Sequence, residues 1–404
     1  MSDVVVVGGG IAGVSTIAAL RGGGFDGDVT LIDTGEFPHD RPPLSKEYLA
    51  GEVDAKDIAL QPHRWYDDNR VRLMNQTTVT ALKPGSGEVQ LGGGRTVRAR
   101  WVVLATGGVA ARPPIPGSKS SRVHTLRTCV DADRLRAALL PGARVLIVGA
   151  GLIGAEVAST ASGLSCEVVL VDPVSAPLAA AFGADVAAWL HDVHAQRGIT
   201  VVRGSVECFR DTDSGVVAMM SGEQGGTGCF DAVVLAVGMV PETGVALTAG
   251  LRATHGIIVD DGQMTSNPAI LAVGDAARTR SVGRLLDRTE HWEAATHDGG
   301  RAAASILGAA PPADTAPWFW TDRHDLHVEA VGAPASGDTV VVRGIFGAAP
   351  FSVFALHATR VVGAVSVNDA AAVRAARRMI DRSIDVDPDG LADPGTDLRK
   401  LLRG

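Results

Sequence analysis

The chain has 404 residues, 46% of them hydrophobic and 20% charged, with a formal net charge of −8. That length exceeds a single hydrophobic core and predicts two or three domains, while the acidic balance argues against a general nucleic-acid binder. The four cysteines, Cys129, Cys166, Cys208 and Cys229, are widely spaced with no CxxC pair, which argues against a disulfide framework or zinc ribbon and fits a reducing cytoplasm.

The first apolar run, Val4 to Val7, has no charged leader before it, and no run in the chain is long enough to span a bilayer, so a soluble intracellular protein with no membrane partner is expected. The run opens into Gly8-Gly9-Gly10-Ile11-Ala12-Gly13, the spacing of a dinucleotide-binding turn. There the first glycine turns the chain, the second admits a pyrophosphate and the third lets helix and strand pack closely. Val29 to Ile32 then leads to Asp33, placed where a carboxylate accepts from ribose hydroxyls. Thr34 and Glu36 stand close enough to compete for that role. The stretch from Phe37 to Lys46 is rich in proline and carries two cations, the pattern of a loop held against an anion. Trp101 to Leu104 is a strand ending in Ala105-Thr106-Gly107, small enough to let backbone come near a bound ring. Arg112 to Gly117 reads as a linker.

The pattern then repeats. Val145 to Val148 leads into Gly149-Ala150-Gly151-Leu152-Ile153-Gly154, and Val168 to Val171 into Asp172. A matching strand, Ala232 to Val237, stops at Gly238, and Ile270 to Val273 ends in Gly274-Asp275. From Trp318 the chain changes to short strands, as in Thr339 to Val342, Ser352 to Leu356 and Val361 to Val365, followed by a terminal helix. On that helix Arg374, Arg377, Arg378 and Arg382 share a face opposite Val373, Ala376, Met379 and Ile380, either a solvated stripe or a dock for an acidic carrier. His191-x-x-His194 and His324-x-x-His327 have metal-compatible spacing without supporting acids or cysteines, so they read as solvated histidines and no metal site is expected. Neither GxSxG nor a Walker A sequence occurs.

Six segments in order make the chain resemble the flavin-dependent NADH:ferredoxin reductases, putidaredoxin-reductase-like enzymes among them, that supply cytochrome P450 and aromatic-ring dioxygenase systems. They are the first fingerprint, Arg41-Pro42-Pro43-Leu44-Ser45-Lys46, Ala105-Thr106-Gly107, the second fingerprint with Glu156, Val273-Gly274-Asp275, and Trp318-Phe319-Trp320-Thr321-Asp322. The resemblance implies an α/β fold of the glutathione-reductase type, with two Rossmann-like dinucleotide-binding domains and a C-terminal α+β domain. It divides the chain into an FAD-binding domain (1–112 and 241–317), an NAD-binding domain (113–240) and an interface domain (318–404). For FAD it implies Gly8, Gly10, Ile11, Ala12, Gly13, Asp33, Arg41, Lys46, Val79, Ala105, Thr106, Gly107, Arg112, Gly274, Asp275, Glu290, His291 and Trp292. For NADH it implies Gly149, Gly151, Leu152, Ile153, Gly154, Glu156, Asp172 and Gly238.

Lys46 is expected to serve catalysis as the cation beside the flavin, with Glu156 as its partner and Trp320 near the flavin or on the exit path. His39 departs from the family's usual tyrosine, and Glu293-Ala294 from its usual asparagine. Asp172 favours NADH, since no arginine or lysine lies between Arg144 and Arg197, unless Arg197 or Arg203 folds back to receive a 2′-phosphate. No cysteine lies between the first fingerprint and Lys46, so electrons are expected to leave the flavin for an iron–sulfur ferredoxin that serves a P450 or an oxygenase. The alternatives on this scaffold are an NADH oxidase, a rubredoxin or monodehydroascorbate reductase, or an apoptosis-inducing-factor-like flavoprotein. A monomer or weak dimer is expected.

Overall fold

A computed structural model describes residues 2–222 and 225–403, and contacts divide the chain into two compact units. The first comprises Met1–Pro42, Val53–Val109 and Met239–Ala313, the second Pro43–Glu52, Ala110–Gly238 and Asp314–Gly404.

In the first unit the valine run Ser2–Val7 is apolar on both faces, as a central strand of a covered parallel sheet must be. It pairs in parallel with Val29–Ile32 on one side and Thr96–Leu104 on the other. Val71–Met74 extends the sheet beyond Val29–Ile32, and Ile270–Ala272 beyond the end of Thr96–Leu104. The start of Thr96–Leu104 bends away into an antiparallel meander with Glu88–Leu91 and Val79–Lys83. Helices Ile11–Gly22 and Trp292–Leu307 lie against each other, and Gly299 makes this possible: a Cβ there would sit 2.8 Å from the Thr16 nitrogen and 2.9 Å from the Ala12 carbonyl oxygen.

The second unit repeats the arrangement. Arg144–Val148 lies between Glu167–Asp172 and Ala232–Leu235, flanked in turn by Thr200–Thr212 and Val123–His124, all parallel. Gly215–Gly222 and Gly226–Phe230 add the antiparallel meander to Thr200–Thr212. The same unit contains a five-stranded antiparallel sheet in the order Trp318–Arg323, Leu326–Gly332, Arg360–Val367, Ala348–His357, Thr339–Ile345. Helix Ala370–Asp381 buries Val373, Ala376 and Met379 in the core beneath that sheet and leaves Arg374 and Arg378 exposed, while Arg377 donates to the Thr315 hydroxyl at 2.7 Å. Helix Ala184–Gln196 brings Val186, Ala187 and Leu190, with Phe182 before it, against Val328, Ala330 and Phe351 of the sheet. The C-terminal strands therefore share a core with the second glycine-fingerprint domain. Among the described residues no helix is long and apolar enough to cross a membrane.

This packing corrects one expectation. His194 and His324 are not solvated. His194 is fully buried, and its Nδ1 lies 2.8 Å from Nε2 of the nearly buried His324, joining the helix to the hairpin after Arg323. Burial, reinforced by the Arg323 charge, pushes His194 down to about 2 and, with Arg197, His324 down to about 4. Both are therefore neutral at physiological pH, and the pair is a packing element.

Gly299→Val should lower the urea midpoint of unfolding by an amount equivalent to about 1–3 kcal/mol, because the added methyl groups meet backbone atoms that cannot rotate aside.

Candidate functional site

The two glycine fingerprints are built alike, atom for atom. Gly8 and Gly149 are held at φ +113° and +99°, and a Cβ at either would collide with the carbonyl oxygen of Ala105 or Ala236, at the end of the adjacent strand. Gly13 and Gly154 pass equally close to the carbonyl oxygens of Gly8 and Gly149. Gly10 and Gly151 cap the helices Ile11–Gly22 and Leu152–Gly163 with extended backbone. At each second strand end, a carboxylate bridges two backbone amides. Asp33 accepts from the N–H of Gly9 and, at 2.5 Å, of Gly35, whereas Asp172 accepts from Ala150 and Val174, both at 2.8 Å.

The surroundings of the second glycines differ. No atom outside the local chain lies within 4 Å of a Cβ built on Gly151, so the start of that helix faces open space that a side chain would fill. Over Gly10 the Arg41 guanidinium stands 3.4 Å from such a Cβ. Unpaired amides at a helix N-terminus attract phosphate, and a guanidinium beside them adds a bidentate partner. Both fingerprints thus fit a dinucleotide pyrophosphate, the first with extra positive charge.

Around the first fingerprint, Trp292 Nε1 donates to Asp40 at 2.9 Å, and Asp40 also accepts from the Arg41 amide at 3.1 Å. Gly274, at φ +65°, would set a Cβ 2.8 Å from Ala12, which brings Gly274-Asp275 to the start of the helix Ile11–Gly22. The Asp275 carbonyl accepts from Arg288, which pairs with Glu290, and His291 caps the helix Trp292–Leu307. Thr106 donates to the Glu242 carbonyl at 2.6 Å, and the Gly107 carbonyl accepts from the Glu242 amide. His39 is half-buried, its Nε2 has no hydrogen-bond partner among the described residues, and burial holds its pKa below the ordinary imidazole value. Val79 lies in the hydrophobic core of the first unit, and Arg112, in the second unit, is tied to the carbonyls of Ser118 and Val123.

In the second unit the structure joins Lys46 and Glu156, but not as a simple pair. Lys46 Nζ is 3.8 Å from Glu156 and only 2.7 Å from Asp322, which the sequence reading did not single out. Glu156, 6% exposed, accepts from the hydroxyls of Ser45 and Thr321 (2.7 Å from the latter) and from the Asp322 amide at 3.4 Å. Thr160 donates to the Ser45 carbonyl at 2.8 Å and fixes the segment further. Lys46 Nζ also stands 5.4 Å from the centre of the Trp320 ring, which stacks on Trp318. Burial disfavours the ammonium most, yet Glu156 and Asp322 outweigh it and hold the Lys46 pKa above its ordinary value. Burial pushes Glu156 upward against the opposing pull of Lys46 and the two hydroxyls. Asp322 lies below the carboxylate range, since hydrogen bonds from Lys46 and His327 outweigh its burial. The missed signal was the alternation Trp318, Trp320, Asp322, which puts the acid on the tryptophan face of one strand.

Near Asp172, Arg197 is turned away to Asp325 and the His324 carbonyl, whereas Arg203 stands in register with Asp172 on the neighbouring strand. Gly238 is held at φ +99°, and its carbonyl accepts from the Ala111 amide.

A family model described as pyridine nucleotide-disulphide oxidoreductase matches residues 2–299, and another described as reductase C-terminal matches residues 318–402. The chain belongs to the pyridine nucleotide-disulphide oxidoreductase family. Within that family it is 33% identical to putidaredoxin reductase CamA of Pseudomonas putida, over 99% of this chain and 96% of the relative. It is 35% identical to the ferredoxin–NAD(+) reductase component of the anthranilate 1,2-dioxygenase system of Burkholderia cepacia, over 98% of each. Among solved structures, the reductase of the covalent putidaredoxin reductase–putidaredoxin complex aligns with a TM-score of 0.91 at 32% identity, covering 100% of this chain and 98% of that one. The α/β fold with two Rossmann-like domains and a C-terminal antiparallel sheet is thereby established, as is membership among FAD- and NAD-dependent oxidoreductases. The disulphide of the family description has no counterpart here: no disulfide joins Cys129, Cys166, Cys208 or Cys229.

Asp298, whose carboxylate accepts from the Gly274 amide at 3.1 Å, is raised by burial to about 6 from 3.8. The folded state therefore favours its protonated form. This contribution to stability is present at low pH and is lost as pH rises through about 6. Raising the pH from 4 to 8 should cost the protein up to about 3 kcal/mol through this group. Asp298→Asn should flatten that part of the pH dependence of the thermal midpoint.

Proposed function

We propose that the protein carries electrons from NADH, by way of FAD, to an iron–sulfur ferredoxin of the [2Fe–2S] class or similar that serves a cytochrome P450 or a ring-hydroxylating oxygenase. The observation that carries this reading is the distribution of the cysteines: none of the four is in a disulfide, and all lie in the second unit, away in sequence from the first fingerprint and Lys46. The family's disulfide route for electrons therefore lacks its cysteine pair. Whole-length similarity to named ferredoxin reductases supports the carrier as the remaining acceptor. When bound, FAD accepts a hydride from NADH and can release the two electrons singly.

In this reading the FAD-binding domain spans 1–112 and 241–317, the NAD-binding domain 113–240, and the interface domain 318–404. Arg41 and the amides at Gly10–Gly13 hold the FAD pyrophosphate, Asp33 faces the adenosine ribose, and Asp275 and Trp292 complete that wall. Gly149–Gly154 cradle the NADH pyrophosphate, and Asp172 accepts from ribose hydroxyls and repels a 2′-phosphate. Lys46 supplies positive charge at the flavin ring, with Glu156 keeping it ionised and Trp320 beside it. The protein acts in the cytoplasm as a monomer or weak dimer.

Cytochrome c reduction by NADH should rise at least about tenfold on adding a small [2Fe–2S] ferredoxin. Rapid oxygen consumption without any ferredoxin would instead identify an NADH oxidase and overturn the proposal. In stopped flow, Lys46→Met should slow flavin reduction by NADH by about tenfold or more, as expected for removing a charge-assisted contact worth roughly 1.5–3 kcal/mol. Asp172→Ala should reduce kcat/KM for NADH by a similar factor while improving use of NADPH, since Arg203 then stands in register with the vacated position. Equal use of both nucleotides by the unaltered protein would remove Asp172 from this role.

A further inference from the structure

The antiparallel strands Trp318–Arg323 and Leu326–Gly332 set Trp320 opposite Glu329 and Asp322 opposite His327. Residues two apart on a strand share a face, so Trp318, Trp320, Asp322, His327 and Glu329 lie together. Their contacts close a ring. Lys46 Nζ donates to Asp322 Oδ2 at 2.7 Å, and His327 Nδ1 lies 2.5 Å from Asp322 Oδ1. His327 Nε2 faces Glu329 Oε2 at 3.7 Å, while Glu329 Oε1 accepts from Trp318 Nε1 at 3.0 Å. Trp318 stacks on Trp320, 5.0 Å between centroids, and Trp320 lies beneath Lys46 Nζ.

Exposure is uneven around this ring. The Lys46 side chain is 10% exposed and that of Glu329 8%, whereas that of His327 is 44% exposed. Glu329 Oε2 is buried with no hydrogen bond among the described residues, so its charge is directed at the imidazole. A buried carboxylate oxygen without a donor is costly, and a protonated imidazole facing it supplies counter-charge.

We propose that Asp322 and His327 are positioning residues for Lys46: Asp322 fixes the ammonium, and His327 takes up or releases a solvent proton that sets the net charge around it. This rests on the reading of Lys46 given above. With His327 neutral, the Lys46 charge faces the carboxylates of Asp322, Glu329 and Glu156, with Glu47 behind it. Proton uptake from water adds one positive charge between Asp322 and Glu329, so Asp322 is shared and less of its charge opposes Lys46. The remaining polar neighbour, Asn368, accepts from the His327 backbone amide at 2.7 Å, and Arg323 points to the other face of its strand. Negative charge arising at the cofactor is then favoured more strongly at lower pH, through a group that touches water rather than through the buried lysine.

The test uses the FAD-loaded protein, measuring the midpoint potential of the bound flavin and the rate of its reduction by NADH from pH 5 to 9. The unaltered protein should show an extra inflection in potential against pH. His327→Gln should abolish that inflection, and Asp322→Asn should slow reduction by NADH about tenfold across the range. An inflection that persists unchanged in His327→Gln overturns the proposal. Lys46→Met separates the two readings. If it leaves potential and rate unaltered, the role of Lys46 itself fails; if it slows reduction while His327→Gln keeps the inflection, only the role of His327 fails.

Discussion

A buried ammonium needs counter-charge and acceptors for its hydrogens, and Lys46 obtains counter-charge from two separate stretches of chain. Asp322 comes from a strand, Glu156 from the first turns of a helix, and Ser45, beside the lysine, ties Glu156 back to the same loop. Removing either carboxylate weakens the counter-charge that holds the ammonium. This constraint explains why Pro43–Glu52, which follows the proline-rich loop, belongs by contact to the second unit. It also fixes where the first strand of the C-terminal sheet lies against the helix Leu152–Gly163, since Thr321 and the Asp322 amide both reach Glu156.

The C-terminal sheet is bound to the second fingerprint domain by more than charge. Phe182 and Leu190 share a core with Phe351 and Val328, and the neutral His194–His324 pair sits at the same junction. Burial keeps both imidazoles unprotonated, and Arg323, itself 5% exposed and held down at about 10 by burial, adds a cation that reinforces it. Acid strong enough to protonate either histidine would have to place a second positive charge beside that arginine.

Much of this was legible in the residues because it is steric. A glycine that must pass a carbonyl oxygen admits no other side chain, and such glycines advertise themselves at Gly8, Gly13, Gly149 and Gly154. Asp33 was less certain, since the loop to Arg41 gave no register among Asp33, Thr34 and Glu36; its two backbone amides, Gly9 and Gly35, settle which carboxylate reaches the fingerprint. Lys46 and Glu156 could be read together, but Asp322 and His327 could not. Alternation shows which residues share a strand face and is silent about which strand lies beside it. The histidines failed for a related reason: an i, i+3 spacing on Ala184–Gln196 does not reveal that a sheet more than a hundred residues later will cover one of them.

The duplicated architecture has a consequence of its own. Equivalent positions in the two halves meet the same obstacles: Gly8 and Gly149 face a carbonyl at the end of the neighbouring strand, and Asp33 and Asp172 each clasp two amides. The pairs diverge where a guanidinium overhangs Gly10 and open space lies over Gly151. Each half is therefore an internal control for the other. Whatever a substitution does alike in both belongs to the scaffold, and whatever it does differently belongs to the nucleotide.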